Sequence, residues 1–164
     1  MSSIKIIDVE ASGLHPDSYP IEIGVLIDGE VHCWLIKPSE SWTFWDDHAE
    51  EIHGISRNQL QEEGLDAYQV ANELNGVMDG TDGILYSDAA SWDYGWLQTL
   101  FQSTGVHQTF HIHPLSEVIP EDKVRDYNIH FERLVHSDEY NHHRAEDDVQ
   151  MIYQAYCDTM EPQQ

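Results

Sequence analysis

The sequence predicts an α/β protein whose mixed five-stranded sheet begins with three antiparallel strands, continues with parallel strands and is flanked by helices. Two apolar runs joined by Asp28-Gly29 predict the opening hairpin, because this pair is typical of tight β-turns. Beyond residue 56, segments with helical spacing alternate with short apolar segments, a pattern typical of strands covered by helices. The 164 residues, 40% of them hydrophobic, are enough for one core, so we expect a single domain over residues 1–164.

The antiparallel strands are expected at the start of the chain. Residues 4–10 are rich in β-branched side chains and lead into the turn signal Ser12-Gly13. Residues 21–27 and 31–36 form the two arms of the hairpin. An aromatic-rich connection with Trp42, Phe44 and Trp45 follows, and we expect these rings to pack in the core.

Helices and short strands then alternate. The capping-box spacing that starts at Ser56 predicts a helix that ends near Gly64. Apolar periodicity predicts a second helix over residues 67–78 and a third over residues 93–101, which includes the core candidate Trp96. Residues 84–86 and 109–112 are expected to be strands. Residues 114–121 are predicted to be irregular, and two helices are expected at residues 122–136 and 144–160.

The composition restricts the classes of function. Seven basic and 31 acidic residues give a net charge of 7 − 31 = −24. Such a surface cannot neutralise the phosphates of a long nucleic acid, so a nucleic acid ligand would require bound divalent cations or a short length. Adaptation to a salty setting is the alternative explanation of the acidity. With two cysteines, no apolar run near ~20 residues and no secretory signal, we expect a cytoplasmic protein without a membrane segment.

Two carboxylates stand at the end of the first predicted strand. Asp8 and Glu10 are two residues apart, so in a strand they project from the same face. Ligand sites of open α/β sheets collect at this end of the strands, where two like charges are costly unless a cation joins them. Their hard oxygen atoms suit Mg²⁺ or Mn²⁺. A solvated strand end is the competing interpretation.

A third acidic candidate, Asp93, lies at the predicted start of a helix. Taken alone, an aspartate in this position is expected to cap the helix by accepting its free N–H groups. Asp88, nearer to the end of the preceding strand, is a rival for any functional part. The residues by themselves leave these alternatives open.

Histidine and aspartate recur with the same spacing before the last helix, as His142 with Asp147 and His143 with Asp148. The apolar stripe of that helix begins at Ala145, which predicts that Asp148 points towards the core and Asp147 outwards. An aspartate aimed at the core needs a partner, which a metal ion supplies. A solvated acidic first turn, favoured by the helix dipole, is the alternative.

Four segments in order resemble the motifs of the DEDDh exonucleases. The sequence reads DVEASGL at residues 8–14, IHGIS at 52–56, WDYGWL at 92–97 and HRAEDD at 143–148. These segments are similar to the family's first acidic motif, its His-Gly-Ile-Thr/Ser segment, its aromatic-Asp-x-x-aromatic-Leu motif and its His-x-Ala-x-x-Asp motif. The family belongs to the ribonuclease H-like superfamily, with polymerase proofreading subunits, oligoribonuclease and RNase T, so the resemblance implies a ribonuclease H-like fold and a single exonuclease domain.

The resemblance also implies an activity: metal-dependent 3′→5′ hydrolysis of single-stranded RNA or DNA to nucleoside 5′-monophosphates. It implies two Mg²⁺ or Mn²⁺ ions, which can bind the attacking and leaving oxygens of a phosphoryl transfer. It assigns His143 as general base, and we expect the neighbouring carboxylates to raise its pKa. Relatives occur as monomers and homodimers. The implied metal ligands are Asp8, Glu10, Asp93 and Asp148, and the implied substrate contacts are Ala11, Ser12, Gly13, His53, Gly54 and Ile55.

The sequence departs from the family before the second aspartate. The family usually has His-Asn-Ala-x-aromatic-Asp there, whereas residues 87–93 read SDAASWD, with neither His nor Asn and one more residue.

Glu22 is expected either to face solvent or to support the site from behind. The scarcity of basic residues favours short single-stranded substrates.

Two further hypotheses come from the same sequence. A catalytically idle exonuclease fold could serve as an acidic interaction protein or subunit, which the net charge favours and the complete set of motifs opposes. His107, His111 and His113 could form a transition-metal site, although no further ligand spacing completes a tetrahedral set.

Overall fold

The computed structural model describes residues 3–161 and contains the predicted mixed sheet. Its strand order is β3-β2-β1-β4-β5. β1 pairs with β2 and β2 with β3 in antiparallel fashion, whereas β1–β4 and β4–β5 are parallel. The strands are β1 Ile6–Ala11, β2 Pro20–Ile27, β3 Glu30–Leu35, β4 Ile84–Ser87 and β5 His111–Pro114.

Helices cover both faces of this sheet. They are α1 Asp47–His53, α2 Arg57–Glu63, α3 Ala67–Met78, α4 Ala90–Thr104, α5 Val124–Val135 and α6 Ala145–Met160. A short 3₁₀ turn at Leu115–Glu117 occupies part of the segment that was expected to be irregular. A second one at Glu121–Lys123 covers the end of that segment and the first residues of the helix predicted at 122–136, which begins at Val124. Within residues 3–161, no helix is both long and apolar enough to cross a membrane.

The predicted helix cap at Ser56 and the predicted hairpin turn at Asp28-Gly29 both form. Ser56 accepts a hydrogen bond from the Gln59 N–H at the start of α2. In the turn between β2 and β3, Asp28 and Gly29 both have positive φ, 50° and 82°. Two consecutive left-handed residues are the geometry of a type I′ hairpin turn, which fixes how β2 and β3 are paired.

Helix α1 was not predicted. The Asp46 side chain accepts from the His48 N–H at its start, and Gly54 ends it with a φ of 72°. The helix has seven residues and buries only His53, so it lacks the apolar periodicity by which longer helices are recognised. The aspartate and the glycine were the available signals.

The two faces of β1 contact different parts of the core. Ile7 and Val9 belong to a cluster that includes residues of α2, α3 and α4, whereas Ile6 belongs to a smaller cluster with residues of α6. Because side chains alternate along a strand, Asp8 and Glu10 lie on the same face as Ile6, towards α6.

The aromatic side chains of the connection pack as expected. Trp42 and Trp96 are buried, and Phe44 and Trp45 pack as partly buried side chains against the larger cluster. These rings therefore help to hold the connection that follows β3 against the sheet.

A glycine on β2 lets α6 lie close to the sheet. Gly24 is paired with Asp8 across the two strands. A Cβ atom on Gly24 would lie 2.6 Å from the backbone oxygen of Ala145, the first residue of α6. The backbone of α6 can thus approach β2 only where no side chain intervenes.

We predict that Gly24→Ala destabilises the fold by about 1–3 kcal/mol, because an added methyl group would push α6 off the sheet. Gly76→Ala is a matched control, since this glycine lies inside α3 with open space around it. That control should raise the free energy of unfolding by about 0.5–1 kcal/mol. Urea denaturation of the variants measures both effects, and equal stability of the two would contradict the close contact.

Candidate active site

A cavity of about 380 Å³ lies at the carboxyl end of β1. Its walls come from β1 and the residues after it, from α1, from the start of α4 and from the loop before α6. Strands and helices that are distant in the chain thus contribute side chains to one cavity. The predicted site residues that line it are Asp8, Glu10, Ala11, Gly13, His53, Asp93, His143 and Asp148.

Three carboxylates meet in this cavity. One oxygen each from Asp8, Glu10 and Asp148 lies within 4.8 Å of the others. Only 8% of Asp8 and 5% of Asp148 is exposed. Asp8 Oδ2 is buried and has no hydrogen-bond partner within the described residues. Buried oxygens of like charge are costly, so this arrangement calls for a positive partner.

The pKa values of these groups reflect the crowding. Burial raises the pKa of Asp8 well above its ordinary value, and the charges of Glu10, Asp148 and Asp93 add to the effect. Burial, followed by the charge of Asp148, raises the pKa of Glu10 to about 9. A bound cation would reverse this preference by stabilising the ionised carboxylates.

The donor set fits a hard divalent cation. Carboxylate oxygens are the ligands that Mg²⁺ and Mn²⁺ prefer. The buried Oδ2 of Asp8 has no hydrogen-bond donor within the described residues. A buried acceptor without a donor is rare, so a cation bound to this oxygen would account for it. The residues therefore suit the metal that the family resemblance implies.

Asp93 lies in the same cavity but outside the group of three carboxylates. It is the fourth residue of α4 and is almost fully buried, so it is not the helix cap, a position that Ala89 takes. Its Oδ2 accepts a hydrogen bond of 2.6 Å from Ser87 Oγ at the end of β4. Burial raises the pKa of Asp93, whereas the bond from Ser87 opposes this. The rival, Asp88, lies more exposed on the cavity wall.

The first turn of α6 is oriented as its apolar stripe predicted, with Asp148 inward and Asp147 outward. Asp148 is buried towards β1, whereas Asp147 is partly exposed and accepts a 2.6 Å hydrogen bond from the Asn141 N–H. The backbone N–H of His143 donates to Asp148 Oδ1 over 3.1 Å. His142 Nδ1 lies 2.9 Å from the same oxygen. The loop before α6 is thus tied to the buried carboxylate.

The pKa of His143 changes in the direction opposite to expectation. Burial lowers it, and the neighbouring imidazole of His142 lowers it further. The negative charge of Asp148 acts in the other direction but does not prevail. The imidazole therefore favours its neutral form, in which one ring nitrogen can accept a proton.

Glu22 supports the site from behind and does not face solvent. Only 1% of its surface is exposed, and its carboxylate receives hydrogen bonds from Arg144 Nη2 at 2.7 Å and Arg144 Nε at 3.2 Å. The Ala145 N–H donates to it over 2.7 Å. An acidic group at this end of a helix is favoured by the free N–H groups there. Glu22 therefore fixes the start of α6, and with it Asp148.

Three of the predicted substrate contacts, Ser12, Gly54 and Ile55, are not among the residues that line the cavity. The Ser12 side chain accepts from the Tyr19 N–H, and its own N–H donates to Tyr19, so its polar groups are already used. Gly54 ends α1, and the N–H of the fully buried Ile55 donates to His53 Nδ1. These residues shape the wall, whereas Ala11, Gly13 and His53 lie on it.

His53 is buried beside the cavity and has one ring nitrogen, Nε2, without a hydrogen-bond partner within the described residues. Because its Nδ1 accepts from Ile55, its Nε2 carries the proton in the neutral form, and this atom has no acceptor within the described residues. Burial lowers the pKa of His53, which keeps the ring neutral. The ring therefore has one unused N–H donor next to the cavity.

Sequence reasoning missed several lining residues. Leu14 and Trp92, 70% and 45% exposed, contribute apolar surface to the wall, and Trp92 stacks on Trp96. Exposed apolar residues next to motif residues were the available signal. Ser87, which donates to Asp93, had no pattern that distinguished it. His142 was paired by spacing with Asp147, whereas in the structure its ring contacts Asp148.

The hypothesis of a metal site at His107, His111 and His113 has no support in the geometry. Across residues 3–161, the groups of potential ligand atoms within 4.8 Å of one another do not include these histidines. His113 Nδ1 instead lies 2.8 Å from the Glu117 carboxylate on the surface.

Comparison with known proteins shows the fold. No protein-family model matches the chain, and no curated protein matches it. Solved structures of E. coli exonuclease I do. The complex with a dA16 oligonucleotide has a TM-score of 0.74 at 15% identity over 99% of this chain and 42% of that chain. The zinc-bound complex with single-stranded DNA gives 0.74 at 16%, with the same coverage, and a product-bound structure gives 0.70 at 14% over 94% of this chain.

This chain thus spans about two fifths of the length of exonuclease I. At such low identity the match establishes the fold alone. It confirms the ribonuclease H-like fold that the motifs implied.

We predict that the metal-free protein loses stability as the pH rises from about 5 to about 9. The pKa of Glu10 is raised from 4.5 to about 9 in the folded state, so between these values the folded protein holds a proton that the unfolded chain has released. This stabilisation is complete below the unfolded pKa and is lost as the pH passes the folded pKa.

Thermal unfolding in EDTA at several pH values measures this effect. Glu10→Gln should reduce the pH dependence and leave the part due to Asp8 and Asp93, whose pKa values are also raised. Glu146→Gln, which removes an exposed carboxylate of α6, should retain the full dependence. Mg²⁺ should raise the unfolding midpoint more near pH 8 than near pH 5. An unchanged slope in Glu10→Gln would contradict the assignment.

Proposed function

We propose that this protein is a metal-dependent 3′→5′ exonuclease that hydrolyses short single-stranded RNA or DNA to nucleoside 5′-monophosphates. The observation that carries this proposal is the group formed by Asp8, Glu10 and Asp148 beside His143 in one cavity. The four motifs and the shared fold with exonuclease I, whose structures contain single-stranded oligonucleotides, support the same activity.

The acidic side chains are proposed to hold two divalent cations. Asp8, Glu10 and Asp148 are close enough to share ligands, and Asp93 lines the same cavity. When bound, Mg²⁺ or Mn²⁺ ions supply a Lewis acid for the phosphoryl oxygens and an activated water. Glu22 and Ser87 keep Asp148 and Asp93 in place by the hydrogen bonds described above.

His143 is proposed to take the proton from the attacking water. Its lowered pKa favours a neutral imidazole near pH 7, which is the form that accepts a proton. The bond from its backbone N–H to Asp148 fixes the loop that carries the ring. His53 is proposed to donate from Nε2 to an oxygen of the terminal nucleotide.

The shortage of positive charge supports short substrates. Within residues 3–161, no lysine or arginine lines the cavity. Arg144 pairs with Glu22, Arg57 bonds to Tyr19 and the Trp42 backbone, and Lys5 pairs with Asp82. A longer substrate would therefore gain no contact with a cationic side chain from the cavity wall, and the net charge of −24 opposes additional phosphates.

Both hydrophobic clusters pack against the same sheet, which supports a single exonuclease domain.

The exposed ring of Trp92 is proposed to stack on a terminal base, because aromatic rings bind bases of any sequence.

We predict that Asp8→Asn and Asp148→Asn abolish hydrolysis, because each removes a charge from the metal site. His143→Ala should lower kcat by about 10²–10⁴-fold through loss of the general base. Glu146→Gln, an exposed position in the first turn of the same helix, should retain activity. The rate with EDTA should be zero and return with Mg²⁺ or Mn²⁺.

The assay uses RNA and DNA oligomers of graded length labelled at the 3′ or the 5′ end. A 3′→5′ enzyme releases the 3′ label at once as a mononucleotide and shortens the 5′-labelled strand stepwise. The absence of hydrolysis of every oligomer with either ion would overturn the proposal and favour the idle interaction protein.

We further predict that Trp92→Ala raises KM for oligonucleotides several-fold and lowers kcat less, because base stacking contributes roughly 1–3 kcal/mol. Tyr94→Ala is the matched control, since this exposed ring lies on the same helix away from the cavity. Steady-state kinetics of both variants separates KM from kcat. Equal KM values in the two variants would exclude the stacking role.

A further inference from the structure

His142 is a second imidazole at Asp148 that the proposed reaction does not use. Its Nδ1 lies 2.9 Å from Asp148 Oδ1, and its ring stacks on that of His143 with a centroid distance of 3.8 Å. One ligand atom from each of these three residues lies within 4.8 Å of the others. The site near α6 therefore contains a mixed group of two nitrogens and one oxygen, in addition to the three carboxylates.

We propose that His142, His143 and Asp148 form a binding site for Zn²⁺ that competes with the carboxylate site for Asp148. Zn²⁺ favours imidazole nitrogens and accepts carboxylate oxygens, whereas Mg²⁺ prefers oxygen alone. The same cavity therefore contains two ligand sets of different chemistry that share one residue.

The backbone brings the two imidazoles together. His143 has a left-handed φ of 70°, which is uncommon for a residue with a side chain. In an extended chain, consecutive side chains point to opposite sides, but here both rings line the same cavity. Phe131 packs edge-on against the His142 ring at 6.0 Å and limits its movement.

The distance between His142 Nδ1 and Asp148 Oδ1 suits a zinc ion after a small adjustment. Bond lengths of about 2.0–2.1 Å in a tetrahedral site place neighbouring ligand atoms roughly 3.3 Å apart. The nitrogen of His142 and the oxygen of Asp148 are 2.9 Å apart, so they need to separate by less than an ångström. His142 has 31% of its side chain exposed, so an ion can enter from solvent. A fourth position would open towards the cavity.

Zinc bound there would inhibit hydrolysis, a consequence that rests on the proposed function. It would occupy a ring nitrogen of His143, the proposed general base, and an oxygen of Asp148, a proposed ligand of the catalytic ions. Mg²⁺ would compete only weakly, because Asp148 is the one ligand that the two sites share.

Equilibrium dialysis with Zn²⁺ in the presence of millimolar Mg²⁺ tests the site without any assay of activity. We expect one tightly bound Zn²⁺ per wild-type chain. His142→Ala should weaken this binding by at least about tenfold. Asp8→Ala, which disables the carboxylate site, should retain it. His136→Ala is the matched control, because this exposed histidine pairs with Glu132 away from the cavity.

The ring NMR signals of the wild-type histidines provide a second measurement that needs no variant. Addition of Zn²⁺ should shift two imidazoles in parallel with the first equivalent bound. Wild-type affinity in His142→Ala, or loss of zinc in Asp8→Ala as complete as in His142→Ala, would overturn the proposal. So would the absence of tight zinc binding by the wild-type chain.

Inhibition is measured as the ratio of rates with and without Zn²⁺ within each variant. The zinc concentration for half inhibition should rise at least about tenfold in His142→Ala. If no variant hydrolyses oligonucleotides, the proposed function fails while the dialysis result still decides the zinc site. If hydrolysis occurs and His142→Ala is inhibited like the wild type, the zinc site fails alone.

Discussion

The fold must hold three carboxyl groups of like charge within a few ångströms of one another and largely away from water. Such an arrangement opposes folding, because both burial and mutual repulsion favour separation of the groups. The arrangement persists because the surrounding structure fixes the backbone that carries these groups. β1 is paired on both sides, with β2 and with β4, so Asp8 and Glu10 cannot move apart without breaking the centre of the sheet.

The opposing side of the site is fixed by a second charged contact. Glu22 is the cross-strand partner of Glu10, and its charge contributes to the raised pKa of Glu10. Its carboxylate is also bound by Arg144 and by the Ala145 N–H, so the same charge anchors α6. The same anchor, with the close approach at Gly24, sets the distance from Asp148 to β1.

The predictable features were those that depend on local patterns. The hairpin at Asp28, the cap at Ser56 and the inward orientation of Asp148 follow from turn chemistry and helical periodicity, and all three are confirmed. Helix α1 was not predicted because it buries only one side chain and therefore shows no apolar periodicity. The anchoring by Glu22 was left open because it depends on a residue 122 positions away. Long-range contacts of this kind, like the burial that lowers the pKa of His143, have no signature in a single sequence.

The central position of β1 also restricts how this chain can change during evolution. A shift of one residue in a strand exchanges the side chains of its two faces. An insertion or deletion within β1 would therefore turn Asp8 and Glu10 towards the larger hydrophobic cluster. It would also bring Ile7 and Val9 to the cavity. The hairpin turn at Asp28-Gly29 is far along β2 from this point and bounds an outer strand. Changes in length should therefore accumulate in that peripheral turn and be absent from β1.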